Sequence, residues 1–255
     1  PFLKGVLEPY AEVVYLPGAK IAKADLADAN ALIVRTRTKC NRALLEGTKV
    51  KFVATATIGF DHIDAGYCES NGIYWTNAAG CNSASVAQYV VSAVLNLAVE
   101  KKLALSDMTI GIVGVGNVGS KVAKFAEAVG MKVLLNDPPR ARKEGEASFV
   151  SMKRIMDEAD IITFHVPLSA DGADKTFHVC NDGFFGALRK CRIFINSSRG
   201  EVVETGALKR FLTANPKICA VIDVWENEPD IDQELLKLVK FATPHIAGYS
   251  TDGKA

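Results

Sequence analysis

The stretch GIVGVGNVGSKVAKFAEAVG, residues 111–130, decides the fold. Its spaced glycines are Gly114, Gly116 and Gly119. A glycine triplet alone says little, because many turns contain one. This one follows the apolar run TIGIVGV (109–115) and opens a stretch of helical periodicity. A second apolar run, KVLLND, ends in Asp137, 23 residues beyond Gly114. Strand, glycine turn, helix and acid-tipped strand make a dinucleotide-binding βαβ unit. The first glycine permits the tight turn, the second close approach of a pyrophosphate, and the third close packing of helix on strand. Backbone N–H groups near Asn117 and Val118, at the positive end of the helix dipole, suit the phosphates. Asp137 would accept hydrogen bonds from the adenine-ribose hydroxyls and repel a 2′-phosphate, so the expected cofactor is NAD rather than NADP. Arg140, soon after, moderates that preference.

Outward from this unit, short apolar runs alternate with helical patterns. Candidate strands are EVVYL (12–16), ALIVR (31–35), FVATAT (52–57), DIITFHV (160–166), RIFINSS (192–198), CAVIDVW (219–225) and KFAT (240–243). Several are apolar on both faces, as parallel strands covered on both sides must be. The alternation predicts an α/β protein with two doubly wound parallel-sheet lobes. SASVAQYVVSAVLNLAVEKK (83–102) reads as one inter-domain helix with Ser83 as N-cap. Residues 1–82 would form a substrate domain, 103–240 a Rossmann NAD-binding domain, and 241–255 a segment returning to the first lobe. PFLKGVLEPYAEV reads as a helix with no strand before it. The first lobe is therefore expected to lack its first strand, with residues missing at both ends.

Composition narrows the function classes. The 255 residues carry 30 basic and 29 acidic side chains, a formal net charge of +1. That lacks the one-sided basic excess of nucleic-acid or membrane-surface proteins, so neither partner is expected. None of the six cysteines forms a C-x-x-C pair, so no metal is expected and the thiols read as reduced. No signal peptide or uninterrupted apolar run of 18 residues stands out, which predicts a cytoplasmic protein.

Three later segments put charged residues at strand ends, where open α/β sheets bind ligands: INSSRGEVVE (195–204), DVWENEP (223–229) and TPHIAGYS (243–250). Glycine fingerprint, SRG, D-V-x-x-x-E-P and a late T-P-H-I together resemble the D-2-hydroxyacid dehydrogenase family. VRTRTKCNRALLEG, KFVATATIGFDHID, AAGCNSASVAQYV, NDPPR, DVWENEPDIDQELL and TPHIAGYSTDGKA extend the resemblance over nearly the whole chain. It implies a flavodoxin-like substrate domain beside the Rossmann domain. It also implies Arg199 as the catalytic, substrate-binding arginine, His245 as the proton donor and acceptor, and Glu228 as the carboxylate partner of His245. The cofactor set it implies is Gly114, Gly116, Asn117, Val118, Gly119, Asp137, Val166, Ser197, Ser198, Arg199, Asp223 and Gly248. Thr36, Thr57 and Tyr249 would bind substrate, with Arg35, Arg37 and Lys39 forming a basic, hydroxyl-rich loop suited to a phosphate. Members of the closest branch tend to carry serine at the position of Thr36, so the hydroxyl is kept and a methyl added.

The implied reaction is NAD-dependent oxidation of 4-phospho-D-erythronate to (R)-3-hydroxy-2-oxo-4-phosphooxybutanoate, in pyridoxal phosphate biosynthesis, by a homodimer. The chemistry suits the residues, because a histidine titrates near neutrality and a carboxylate holds and charges its ring. Alternatives are a phosphoglycerate or hydroxypyruvate/glyoxylate-type dehydrogenase, or a non-catalytic NAD(H)-sensing corepressor-like protein. His62, His165 and His178 read as structural.

Overall fold

The computed structural model describes residues 4–251. The expected domain limits at 1–3 and the last part of the returning segment, 252–255, lie outside them. The chain divides into two compact units, residues 1–82 with 250–255, and residues 83–249.

The first unit holds β1 (Ala31–Val34), α1 (Arg42–Leu45), β2 (Phe52–Thr55), α2 (Ala65–Ser70) and β3 (Tyr74–Asn77). The strands pair in parallel, in the order β1-β2-β3. Leu32, Val34 and Val53 point inward and pack with Leu45, Ile63 and Ile73. Asn41 caps α1 by accepting from Leu44 N at 3.3 Å, and Asp64 caps α2 by accepting from Tyr67 N at 2.9 Å. Two expectations fail here. EVVYL forms no strand, because Val14 is 74% exposed and Tyr15 and Leu16 are also exposed. β-branched residues favour a strand only where a neighbour buries them. Residues 4–11 form turns, not a helix.

The second unit opens with α3 (Ser83–Lys101), then β4 (Thr109–Val113), α4 (Gly119–Ala128), β5 (Lys132–Asn136), α5 (Pro138–Glu144), α6 (Met152–Glu158) and β6 (Ile161–Phe164). It continues with α7 (Asp182–Ala187), β7 (Ile193–Asn196), α8 (Thr205–Ala214), β8 (Cys219–Ile222), α9 (Gln233–Leu238) and β9 (Phe241–Ala242). All six strands are parallel, in the order β5-β4-β6-β7-β8-β9. Every residue of β6, β7 and β8 is buried, since one apolar cluster covers each face of the sheet. The order reverses between β4 and β6, which puts the ligand-binding crevice outside their carboxyl ends.

Two boundaries differ from expectation. α3 is long and apolar enough to cross a membrane, but 44% of that stretch is buried, with Val90 and Leu97 fully covered in the cluster that also holds Met108 and Ile110. It is a core helix of the second unit. Phe241–Ala242 completes the second sheet beside β8, so residues through Tyr249 stay with this unit.

Candidate active site

At the β4–α4 turn the three glycines have distinct reasons. Gly114 has φ +86°, and a Cβ there would lie 2.4 Å from the carbonyl oxygen of His165. A Cβ on Gly119 would lie 2.0 Å from the carbonyl oxygen of Gly114. Both must be glycine for the protein to close on itself. A Cβ on Gly116 would meet no protein atom within 4 Å. Its bare backbone faces outward, as close approach of a pyrophosphate requires. The opening turn of α4, at Asn117–Gly119, supplies N–H groups that lack intrahelical partners. The cradle fits a dinucleotide.

Asp137 caps α5 by accepting from Arg140 N at 3.1 Å, and its other oxygen accepts from Val115 N at 2.8 Å. Carboxylate oxygens have further lone pairs, so ribose hydroxyls can still be accepted. Arg140 is committed elsewhere. It grips Glu144 through two N–H groups at 2.8 and 2.6 Å and donates to Val115 O at 2.5 Å. An arginine held this way does not offer a fork to a 2′-phosphate, which strengthens the reading of NAD over NADP.

Val166 follows β6 and packs against Gly114. His165, beside it, hydrogen-bonds Thr163 Oγ1 at 3.0 Å, and burial pushes its pKa down to about 3, so the ring is neutral. It is a packing residue, as expected.

The SRG turn leaves β7. Asn196 stitches it: Oδ1 accepts from Ser198 N and Oγ, and Nδ2 donates to Arg199 O at 2.8 Å. Ser197 Oγ is buried with no partner among the described residues. Arg199 donates from Nη1 to Ser198 O at 2.7 Å. A Cβ on Gly200 would lie 2.0 Å from Trp225 O, so this glycine lets the SRG turn touch the DVWENEP turn.

On that second turn the two oxygens of Glu228 have separate tasks. Oε1 accepts from Trp225 N at 2.8 Å, and Oε2 lies 2.9 Å from His245 Nδ1. Burial raises the Glu228 pKa, but the hydrogen bonds from His245 and Trp225 and the charges of His245 and Arg199 outweigh it, and the net shift is downward. The Glu228 hydrogen bond raises the His245 pKa. Burial and Arg199 oppose this, and the charges of Glu228 and Asp223 reinforce it. Arg199, Glu228 and His245 are thus brought into one electrostatic neighbourhood. With Nδ1 on Glu228, His245 has Nε2 left for proton transfer, and its side chain is half exposed.

Asp223 was expected to contact the cofactor. It is 1% exposed, and both oxygens serve the His245 loop: Oδ1 accepts from Ile246 N and Thr243 Oγ1, and Oδ2 from Ala247 N. Its backbone carbonyl accepts from His245 N at 2.7 Å, which holds His245 at φ +55°. Thr243 Oγ1 also bonds Tyr89 OH, on α3, at 2.7 Å. Gly248 is partly buried, and Tyr249 is 69% exposed beyond a turn closed on Ile246 O. Asn196, Gly200, Thr243 and Tyr89 were missed as supports. All four lie inside the quoted stretches, but nothing in the sequence marks Tyr89 as the partner of Thr243.

In the first unit, Thr36 sits in a turn closed by Thr38 N on Arg35 O, with Arg35, Arg37 and Lys39 exposed around it. Thr38 is instead buried, donating to Gly18 O at 2.9 Å. Thr57 follows β2 and donates to Gly59 O at 2.9 Å. Thr36 and Thr57 therefore both stand at carboxyl ends of parallel strands. Tyr249 belongs to the other unit.

An outward-facing dinucleotide cradle and a carboxylate-held histidine beside an arginine define a nicotinamide-dependent oxidoreductase. The family described as D-isomer specific 2-hydroxyacid dehydrogenase, NAD binding domain, matches residues 87–247, and the chain belongs to it. It is 56% identical to an erythronate-4-phosphate dehydrogenase of Bacteroides fragilis over 100% of its own length and 74% of that protein. A protein of the same name from Escherichia coli is 46% identical over 100% of this chain and 68% of its own. Among solved structures, D-lactate dehydrogenase from Aquifex aeolicus, complexed with NAD and lactic acid, superposes with a TM-score of 0.80 at 28% identity, covering 100% of this chain and 87% of that one.

Proposed function

We propose that this protein oxidises 4-phospho-D-erythronate at C2 to (R)-3-hydroxy-2-oxo-4-phosphooxybutanoate. The observation that carries the chemistry is the 2.9 Å contact of His245 Nδ1 with Glu228 Oε2. The substrate is supported by relatives named erythronate-4-phosphate dehydrogenase and by the basic turn around Thr36.

NAD, held by Gly114, Gly116, Asn117, Val118, Gly119 and Asp137, supplies the hydride acceptor. Val166, Ser197, Ser198 and Gly248 would line its site. Asp223 would act from beneath, by fixing the loop that carries His245 and Gly248. Arg199 would grip the substrate carboxylate with its planar fork. His245, neutral and with Nδ1–H on Glu228, takes the C2 hydroxyl proton at Nε2 as the C2 hydrogen leaves with its electron pair, so C–O becomes C=O. In the reverse direction the imidazolium returns that proton. Thr36, Thr57 and Tyr249 would bind the rest of the substrate, and Arg35, Arg37 and Lys39 its phosphate. The homodimer implied by the resemblance would use α3, where Leu95 is 41% and Val99 81% exposed.

The test is His245→Ala. NADH should still bind, while oxidation of 4-phosphoerythronate falls by about 10²–10⁴-fold, the usual contribution of a positioned acid/base. Unchanged turnover would remove His245 from the mechanism.

A further inference from the structure

Three hydrogen-bonding side chains in the first unit form a chain whose direction can be worked out. His62 Nε2 lies 3.0 Å from Thr55 Oγ1, and Thr55 Oγ1 lies 2.6 Å from Thr57 Oγ1. Thr57 Oγ1 lies 2.9 Å from the carbonyl oxygen of Gly59. A carbonyl can only accept, so Thr57 spends its single proton on Gly59. Thr57 must then accept from Thr55, and Thr55, having given away its proton, must accept from His62. Satisfying every contact puts the proton of the neutral ring on Nε2. Thr55 is 2% exposed, so water does not readily replace either of its partners.

The chain ends beside the basic turn. The backbone carbonyl of His62 accepts from Cys40 N at 2.8 Å, and Cys40 directly follows Lys39. Ala56 N, next to Thr57, donates to Val34 O at 2.9 Å, at the other end of that turn. Burial lowers the His62 pKa, against an opposing effect of Asp61, so the neutral ring is favoured, and in that form the chain selects the Nε2–H tautomer.

We propose that His62 is a specificity-determining positioning residue: through Thr55 it presents Thr57 as a hydrogen-bond donor to an anionic oxygen of the substrate, phosphoryl or carboxylate. Donor bonds in series polarise one another, so the terminal Thr57 proton is a better donor than a lone threonine hydroxyl. An arriving anionic oxygen accepts the Thr57 hydrogen bond in place of the Gly59 carbonyl, and the Thr55 bond stays intact. The proposal rests on the reading of Thr57 as a substrate contact.

The experiment compares wild type, His62→Leu and His62→Gln, because a glutamine amide can reproduce the Nε2–H donor. KM and kcat are measured with 4-phosphoerythronate and with unphosphorylated erythronate, together with KM for NAD and thermal midpoints. Leucine should raise KM for 4-phosphoerythronate by about five- to tenfold, the worth of one hydrogen bond, with kcat and KM for NAD little changed. Glutamine should recover most of the loss. An effect confined to the phosphorylated substrate assigns the contact to the phosphate, and an equal effect on both assigns it to the carboxylate. A leucine variant equal to wild type, or glutamine as poor as leucine, overturns the proposal. Nitrogen NMR of the His62 ring in the ligand-free protein should find the proton on Nε2, and a proton on Nδ1 would overturn it regardless of turnover. If wild type does not oxidise 4-phosphoerythronate, the functional reading fails instead, and the tautomer measurement still stands.

Discussion

Replacing Glu228 with glutamine removes one charge and leaves the shape of the turn. Glu228 uses both oxygens as acceptors, one for Trp225 N at 2.8 Å and one for His245 Nδ1 at 2.9 Å. Glutamine has one carbonyl oxygen and can keep only one of these. If it keeps Trp225, its amide N–H faces Nδ1 and drives the ring proton to Nε2, the atom that must accept the substrate proton. If it keeps His245, the backbone N–H of Trp225 loses its partner. A hydrogen bond to a charged group contributes about 1.5–3 kcal/mol, and the half-exposed histidine puts this one toward the low end. At about 1.4 kcal/mol per tenfold, kcat should fall by about 10- to 30-fold.

The pH profile carries a sign as well. Glu228 raises the His245 pKa above its ordinary value, chiefly through their hydrogen bond. Oxidation needs the neutral ring, so the wild-type rate climbs as pH rises through that raised pKa. Removing the carboxylate lowers the pKa, and the acid limb should move to lower pH while the plateau drops. Rates of NADH formation across pH for wild type and Glu228→Gln measure both effects. A limb that stays in place, or moves upward, would refute the pairing.

Alanine at Gly116 should leave thermal stability unchanged but weaken NADH binding, because the added methyl meets nothing in the protein and can only obstruct a ligand. Gly119→Ala should instead destabilise the protein by about 1–3 kcal/mol, since its methyl drives into Gly114 O. Gly200→Ala should force the SRG turn away from Trp225, lowering both the melting temperature and kcat. His165 has a pKa of about 3, below the unfolded value near 6.5, so between those values the unfolded chain holds a proton that the folded one lacks. Stability is therefore lost as pH falls, by about 2 kcal/mol between about pH 7 and pH 5. Denaturant midpoints for His165→Leu should show a shallower pH dependence than wild type.

The second unit was legible because its strands are apolar on both faces and its helices sit between them, so local pattern and tertiary burial agree. β4, β6, β7 and β8 all fall inside the runs picked out at the start. The first unit was harder. EVVYL has the composition of a strand but no neighbour to bury it. β3 was overlooked because Tyr74 is exposed and its other residues are only partly covered, leaving no alternation to detect. At the candidate site, glycine spacing and charged motifs marked the turns. The supports did not stand out, because Tyr89 meets Thr243 across 154 residues and neither pattern nor spacing announces such a contact. Asp223 shows the limit of motif reading: its position was marked, and only the fold revealed that its oxygens hold the His245 loop.

The most direct test of the central claim is to compare kcat/KM for 4-phosphoerythronate, 3-phosphoglycerate and unphosphorylated erythronate by following NADH. The account predicts that 4-phosphoerythronate leads both others by at least about tenfold, the worth of one well-made polar contact to the extra group. A lead for 3-phosphoglycerate, or equal rates with and without the phosphate, would contradict it.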